Sequence, residues 1–272
     1  MSADDRSPAE IAQKLDEVIQ RKSQATIPAQ FFFGILAGIY IGFGALAATT
    51  VGAFEGLPIG LAKFLSASIF CVGLILVVIP GSELFTGNIL MSAGLVTRVA
   101  SPGKVLRNWV FVYAGNFVGS IILALMVHGS GLMGSVAEPT AVGQAASGIA
   151  QAKLAIPFFP AVLRGVLCNM LVCLAVIMAV GSRTNFGKIL CIYFPITAFV
   201  LSGFEHSVAN MYFLPVGLLA RGEFLTRFPA MFGNLIPVTI GNVIGGLLII
   251  LLHPARASKL ADAIKPEKED QS

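Results

Sequence analysis

Between Lys22 and Glu55 the chain carries no charged residue. The same holds between Arg107 and Glu138, between Arg164 and Arg183, and between Arg227 and Arg256. A helix needs about 20 consecutive apolar residues to cross the hydrocarbon of a bilayer, so each gap holds one spanning helix. Two further stretches are long enough but carry an acid: Phe64 to Thr97 is broken by Glu83, and Ile189 to Ala220 by Glu205. Six spans follow, the second and fifth with a charge inside. A chain with 56% apolar and 12% charged residues is too apolar for a water-soluble globule. The expected fold class is an all-α membrane protein.

The distribution of basic residues orients these spans. With the N-terminus inside, thirteen of the 18 Lys and Arg residues fall on inner segments. Only Lys63, Lys153, Arg164, Arg221 and Arg227 remain on outer segments or span ends. This fits the positive-inside rule, so both termini are expected to be cytoplasmic. The formal charge of +4 is then topological and does not point to nucleic acid. The N-terminus has no apolar core of a cleavable signal. Ser7-Pro8-Ala9-Glu10 instead reads as a helix start, with a capping box and proline at the first helical position, and Ile11, Leu15 and Ile19 form one apolar stripe. Residues 1–28 are assigned to a cytoplasmic amphipathic helix, whose lying at the interface and gating roles both stay open. The six-span domain follows over 29–255 and a cytoplasmic polar tail over 256–272. Cys71, Cys168, Cys173 and Cys191 fall within spans, without metal or disulfide spacing. His128 and His253 flank span ends and read as interfacial.

Each half of the chain, about 29–128 and 158–253, runs as an intact span, an interrupted span and an intact span. The interruptions match: Glu83-Leu-Phe-Thr-Gly-Asn88 and Glu205-His-Ser-Val-Ala-Asn210. The third spans match as well, with Gly115-Asn116-Phe-Val-Gly119 and Gly241-Asn242-Val-Ile-Gly245. Three spans per half put the halves in opposite orientations, the inverted-repeat plan whose working site lies at broken helices near the midplane. Pro80-Gly81 and Ser202-Gly203 precede the two motifs and favour a break. Irregular backbone at this depth survives only where protein or a water-filled path satisfies it, so both breaks are expected to line a pathway.

An ionisable group at this depth is a functional candidate. Glu83 and Glu205 occur in both halves, which suits a structural role, accepting hydrogen bonds from backbone N–H groups freed at each break. His206 has no histidine counterpart, since Leu84 occupies the matching position. Histidine changes charge near neutral pH and a neighbour such as Glu205 sets its tautomer, so chemistry is assigned to it. Thr86 offers a hydroxyl at the other break. The glycine-asparagine pairs serve close helix contact and interhelical bonding; Asn116 is read as structural, and Asn242 remains open between structure and pore. Lys153 lies in the outer segment before Pro157, either as a solvated loop charge or as a cation at a pore mouth.

These motifs resemble the formate/nitrite transporter family of pentameric anion channels. The resemblance covers about residues 5 to 255. It rests on the Glu83 and Glu205 motifs, on Cys168-Asn-Met-Leu-Val-Cys-Leu-Ala175 and on Asn234-Leu-Ile-Pro-Val-Thr-Ile-Gly-Asn242. It implies an aquaporin-like fold with a pore through each protomer of a homopentamer in the bacterial inner membrane, surrounded by lipid. His206 then corresponds to the central pore histidine, with Thr86 facing it and Asn242 nearby. Lys153 matches the vestibule lysine, Asn169 is expected to bond near Glu205, and Phe70, Leu74, Leu84 and Phe199 match the apolar residues that narrow the pore.

The implied function is transport of small monovalent weak-acid anions with proton involvement, no bound cofactor and no metal. Ser82-Glu83-Leu-Phe-Thr-Gly is similar to nitrite and hydrosulfide members, whereas Phe199-Val-Leu-Ser-Gly-Phe-Glu-His is nearer to formate channels. Formate is favoured, with nitrite and hydrosulfide as alternatives. A neutral-solute channel of aquaporin type would leave Lys153 and His206 idle. An embedded enzyme using Glu205 and His206 as base and orienter lacks an evident nucleophile, cofactor motif or metal cluster in the sequence.

Overall fold

In a computed structural model, residues 5–252 are described, so His253 and the tail expected over 256–272 lie outside the described residues. The chain enters α1 (Pro8–Gln24) through the capping box: Glu10 N–H donates to Ser7 Oγ at 3.3 Å and Ser7 N–H to Glu10 Oε2 at 2.7 Å. Leu15 and Ile19 are buried against Leu90, Met91 and Ile177. Arg6 Nη1 donates to Val180 O at 2.7 Å, and Arg183 pairs with Glu10 at 3.0 Å. The amphipathic helix is therefore docked on the protein body by its apolar stripe, with polar ties at its start.

The body follows as α2 (Ile27–Gly52), α3 (Ile59–Phe70), α4 (Val72–Val78), α5 (Phe85–Asn88), a 3-10 turn (Ile89–Ser92), α6 (Ala93–Val96) and α7 (Pro102–Gly129). The second half holds α8 (Ala141–Leu154), α9 (Phe158–Gly181), α10 (Asn185–Leu201), α11 (Ser207–Ala220), α12 (Phe224–Arg227), a 3-10 turn (Phe228–Ala230) and α13 (Met231–Leu252). Among the described residues every regular element is helical. Five helical stretches among the described residues are long and apolar enough to cross a bilayer: 27–52, 59–78, 102–129, 158–181 and 224–251. The acid-bearing stretches divide into shorter pieces. The chain leaves helical geometry at 79–84 and again at 202–206.

One departure from the sequence reading concerns Lys153. It sits in the last turn of α8, a helix capped by Thr140, not in a loop. Small residues let α8 lie on the body: a Cβ on Gly217 of α11 would overlap the Ala146 carbonyl. A connection rich in Ala and Gly lacks the apolar weight of a span, so its helix is fixed by tertiary packing rather than by hydropathy.

Glycines also set how closely the flanking spans approach. A Cβ on Gly115 or Gly119 of α7 would overlap the Phe31 or Ile35 carbonyl of α2. Gly241 and Gly245 of α13 stand in the same relation to Val162 and Val166 of α9. Small residues at such contacts let backbones pack by dispersion where lipid supplies no hydrophobic drive between helices. Gly119→Ala is therefore expected to destabilise the protein by about 1–3 kcal/mol through forced separation of α2 and α7. Gly129→Ala, with open space beside it, should stay within about 0.5 kcal/mol. Thermal unfolding in detergent compares the two, and equal midpoints would contradict the close-packing account.

Candidate functional site

At each break a glycine with positive φ turns the chain, Gly81 at +88° and Gly203 at +71°. The backbone groups freed there are taken up by asparagines of the third spans. Phe85 N–H donates to Asn116 Oδ1 at 2.9 Å, and Asn116 Nδ2 donates to Gly34 O and Glu83 O at 2.7 and 2.9 Å. In the other half Ser207 N–H donates to Asn242 Oδ1 at 2.8 Å, and Asn242 Nδ2 donates to Gly165 O and Glu205 O at 2.8 and 3.0 Å. Both asparagines are fully buried. Asn242 thus spends its amide on backbone groups, as Asn116 does.

The carboxylates do something different from capping freed N–H groups. Glu83 pairs with Lys22 of α1 at 2.8 Å and accepts from Asn88 Nδ2 at 2.6 Å; Asn88 Nδ2 also donates to Asn108 Oδ1. Glu205 accepts from Lys153 Nζ at 2.9 and 3.0 Å and from Asn210 Nδ2 at 2.6 Å; Asn210 Nδ2 also donates to Asn234 Oδ1. Each half therefore builds a Lys–Glu–Asn–Asn chain. Lys153 is further placed with Nζ 5.3 Å from the centroid of the Phe213 ring, and Asn234 Nδ2 donates to its carbonyl at 2.9 Å. The Lys22 side of this arrangement escaped the sequence reading, which used Lys22 only to orient the spans. A signal was present: Lys22 precedes Gly34 by the same interval that separates Lys153 from Gly165.

Between the two chains lies the pair that breaks the likeness. Leu84 and His206 have nearly the same backbone, φ −106°, ψ 123° and φ −111°, ψ 116°, and each stands at the N-cap position of the helix that follows its break. His206 Nδ1 accepts from Ala209 N–H at 3.1 Å, which assigns the ring proton to Nε2. Nε2 then donates to Thr86 Oγ1 at 2.8 Å. Thr86 is held in turn by its carbonyl, which accepts from Asn169 Nδ2 at 3.2 Å and from Cys173 Sγ. Asn169 Nδ2 also donates to Asn242 O at 2.6 Å. Asn169 is thereby one residue removed from Glu205, linked through Asn242, and braces Thr86 directly.

Apolar side chains close around this centre. Phe70 and Phe199 meet edge to face with centroids 5.7 Å apart, and Phe199 stacks on the His206 ring at 6.0 Å. Leu74 lies one helical turn beyond Phe70, and Leu74 and Leu84 are each 2% exposed. A cavity of about 190 Å³ ends on Phe70, Phe199 and His206 and carries Lys153, Glu205 and Phe213 in its wall. A second cavity, of about 300 Å³, ends on Leu74, Val77 and Leu84 and carries Lys22 and Glu83. The four apolar residues thus separate two polar chambers, each with one Lys–Glu pair. Thr86, Asn169 and Asn242 stand behind this wall, fully buried. Among the described residues no group of three His, Cys, Asp or Glu side chains could hold a metal ion.

Removing one brace tests this reading. Asn242→Ala leaves the Ser207 N–H and two carbonyls without their partner, at a cost of about 1–3 kcal/mol for each buried unpaired group. It is expected to lower the unfolding midpoint strongly, and Asn116→Ala should do the same. A wild-type midpoint for either variant would show that the breaks do not depend on these amides.

A family model described as formate/nitrite transporter matches residues 9–255. The chain is 41% identical over 266 residues to a probable formate transporter of Methanothermobacter thermautotrophicus, covering 92% of this chain and 96% of that protein. It is 35% identical to the formate channel FocA of Escherichia coli K12, covering 89% of this chain and 91% of that protein. Among solved structures it is similar to an ion channel of the FNT family, with a TM-score of 0.80 at 28% identity over 92% of this chain and 99% of that one. It is also similar to a pentameric formate channel with formate bound, with a TM-score of 0.71 at 33% identity over 87% of this chain and 98% of that one.

Proposed function

The chain belongs to the formate/nitrite transporter family, and from that premise we propose that it conducts small monovalent weak-acid anions, formate foremost, with protonation at His206. The observation that carries this reading is the sequence of environments along one line: a lysine-bearing chamber, a histidine at its floor, and an apolar wall behind. In this reading the six spans form an aquaporin-like inverted repeat. The second span is α3–α4 with α5–α6, and the fifth is α10 with α11. The protein is a homopentamer in the inner membrane with a pore in each protomer and both termini cytoplasmic. The bound formate and pentameric state of one solved relative support the substrate class and assembly. Family membership makes this a transport protein and not an enzyme.

The proposed mechanism rests on the cost of moving a charge past apolar side chains. A bare anion pays heavily to shed its water between Phe70, Phe199, Leu74 and Leu84, whereas its neutral conjugate acid does not. Lys153 raises the anion's local concentration at the mouth. At the chamber floor His206 takes a proton from the chamber water at Nδ1, which gives up the bond it accepts from Ala209 N–H, as the anion arrives, the two new charges offsetting each other. It then returns that proton to the anion, which crosses as the neutral acid. Thr86 Oγ1 accepts from Nε2 and so holds the ring in place, which leaves Nδ1 as the nitrogen that exchanges the proton.

Reconstituted protein in liposomes should carry formate faster than nitrite or hydrosulfide, with uptake rising as external pH falls. Lys153→Ala should lower formate flux about tenfold where electrostatic concentration governs entry, most strongly at high pH where little neutral acid exists. His206→Phe should abolish the pH-dependent component. Water or glycerol flux without any anion flux would replace the proposal by the neutral-solute reading, and unchanged pH dependence in His206→Phe would remove the histidine from the mechanism.

A further inference from the structure

The two chambers differ in one respect that permeation does not require. The Lys153 chamber has one cationic side chain in its wall. The larger chamber has five, Arg6, Lys14, Arg21, Lys22 and Lys188, against the single carboxylate of Glu83. If one lysine suffices to draw a monovalent anion to the first mouth, four further cations at the second call for another explanation. Membrane topology explains why Lys and Arg lie on this side of the protein. It does not explain why residues from α1 and α10, with Arg6 just before α1, converge on one cavity.

Three of the five are already engaged. Lys22 pairs with Glu83, Lys14 with Glu17, and Arg6 donates to the Val180 and Ser182 carbonyls. Arg21 on α1 and Lys188 on α10 have no side-chain hydrogen bond or ion pair among the described residues. They stand on different helices, so one ligand that satisfies both must present negative oxygens in more than one direction. A monovalent carboxylate of three heavy atoms neutralises one cation at a time. A chamber of about 300 Å³ falls at the lower end of small-molecule sites. The Leu74–Leu84 wall that closes its floor also denies passage to anything multiply charged.

We propose that the chamber between α1 and α10 binds a multivalent phosphate anion, which bridges Arg21 to Lys188 and fastens α1 over this mouth of the pore. Lys14, Lys22 and Arg6 add to the field that selects it. Such a ligand binds without being transported and restrains flux from the α1 side. The effect on flux rests on the channel reading above, whereas the binding does not.

Pyrophosphate is the probe, titrated calorimetrically into the full-length protein in neutral phosphatidylcholine nanodiscs. Saturable binding is expected, tighter than that of chloride at equal ionic strength. Arg21→Gln with Lys188→Gln should weaken it about tenfold, each charge contributing about threefold and the two effects adding. Neither substitution removes a bond among the described residues, and Lys188→Arg in place of Lys188→Gln should retain the binding. Repeating the titration in nanodiscs containing cardiolipin separates the sources of the phosphate. A large loss of pyrophosphate affinity, beyond that caused by equal charge as phosphatidylserine, assigns the site to a lipid headgroup, and no extra loss assigns it to a free anion. Pyrophosphate binding that is absent, or unchanged in the double variant, overturns the proposal. In liposomes, pyrophosphate on the α1 side should lower formate flux at least about threefold in the wild type and little in the double variant, with basal flux equal in both. Retained binding with no formate flux in any form would count against the channel reading alone.

Discussion

A helix interrupted at membrane depth must dispose of backbone polar groups that neither its own turns nor bulk water can satisfy. Here one asparagine per half meets that requirement. Asn116 and Asn242 each accept from the first N–H after the break and donate to the carbonyl of the preceding glutamate and to a glycine carbonyl of the neighbouring span. The third bond is possible because Gly34 and Gly165 bring the first and third spans of each half together: a Cβ on either would crowd backbone of the opposing helix. The glycines and the asparagines therefore form one device. Close approach places the amide, and the amide fixes the geometry from which Leu84 and His206 project.

With the breaks braced by asparagine, the carboxylates are free to hold the lysines. A lysine held by Glu205 and by the face of Phe213 keeps one position at the chamber wall, where a free side chain would sample many. The pairing lowers the net field each lysine presents, but it also reduces the cost of keeping a cation in a part-buried site. The same solution at Lys22 and Glu83 gives both chambers a charge that is present, positioned and half-compensated. In the proposed channel such a site would draw in an anion without trapping it, as a path with entry and exit requires.

Much of this was legible in the residues. Charge-free runs marked the spans, since the cost of burying a charge is local and length-dependent, and the isolated acids marked the breaks. The Ser7–Glu10 signature located the start of α1, because a capping box uses only residues three apart. What the chain order did not disclose was which polar group serves which partner. The freed N–H groups looked like work for Glu83 and Glu205, their neighbours in sequence, yet asparagines from another span reach them. Lys22 read as one more inner cation because its partner lies on a different helix. The helix that carries Lys153 was hidden for a related reason: α8 is rich in Ala and Gly and is held by contact with α11, so no apolar run announces it. Asn169 was expected to bond near Glu205, but the spacing alone could not show that its amide is shared between the Asn242 and Thr86 carbonyls.

The departures from the repeat converge on the centre. Thr86 stands where the other half has Val208, Asn169 where it has Gly38, and His206 where it has Leu84. The backbone at Leu84 and His206 is almost the same, so the difference lies in the side chains. Leucine cannot cap a helix, and the four residues of α5 pass at once into a 3-10 turn. Histidine accepts from Ala209 N–H, and α11 continues for 14 residues. Capping of an N-terminal N–H is what a regular first turn needs, so one ring nitrogen of His206 supports its helix. That bond also decides which nitrogen carries the proton. With Nδ1 committed to Ala209, the proton resides on Nε2 and points to Thr86, whose position is set by Asn169 and Cys173 from α9. The ring is thus oriented by the same backbone break that it terminates, and a substitution that keeps size but loses Nδ1 as an acceptor alters the helix as well as the chemistry.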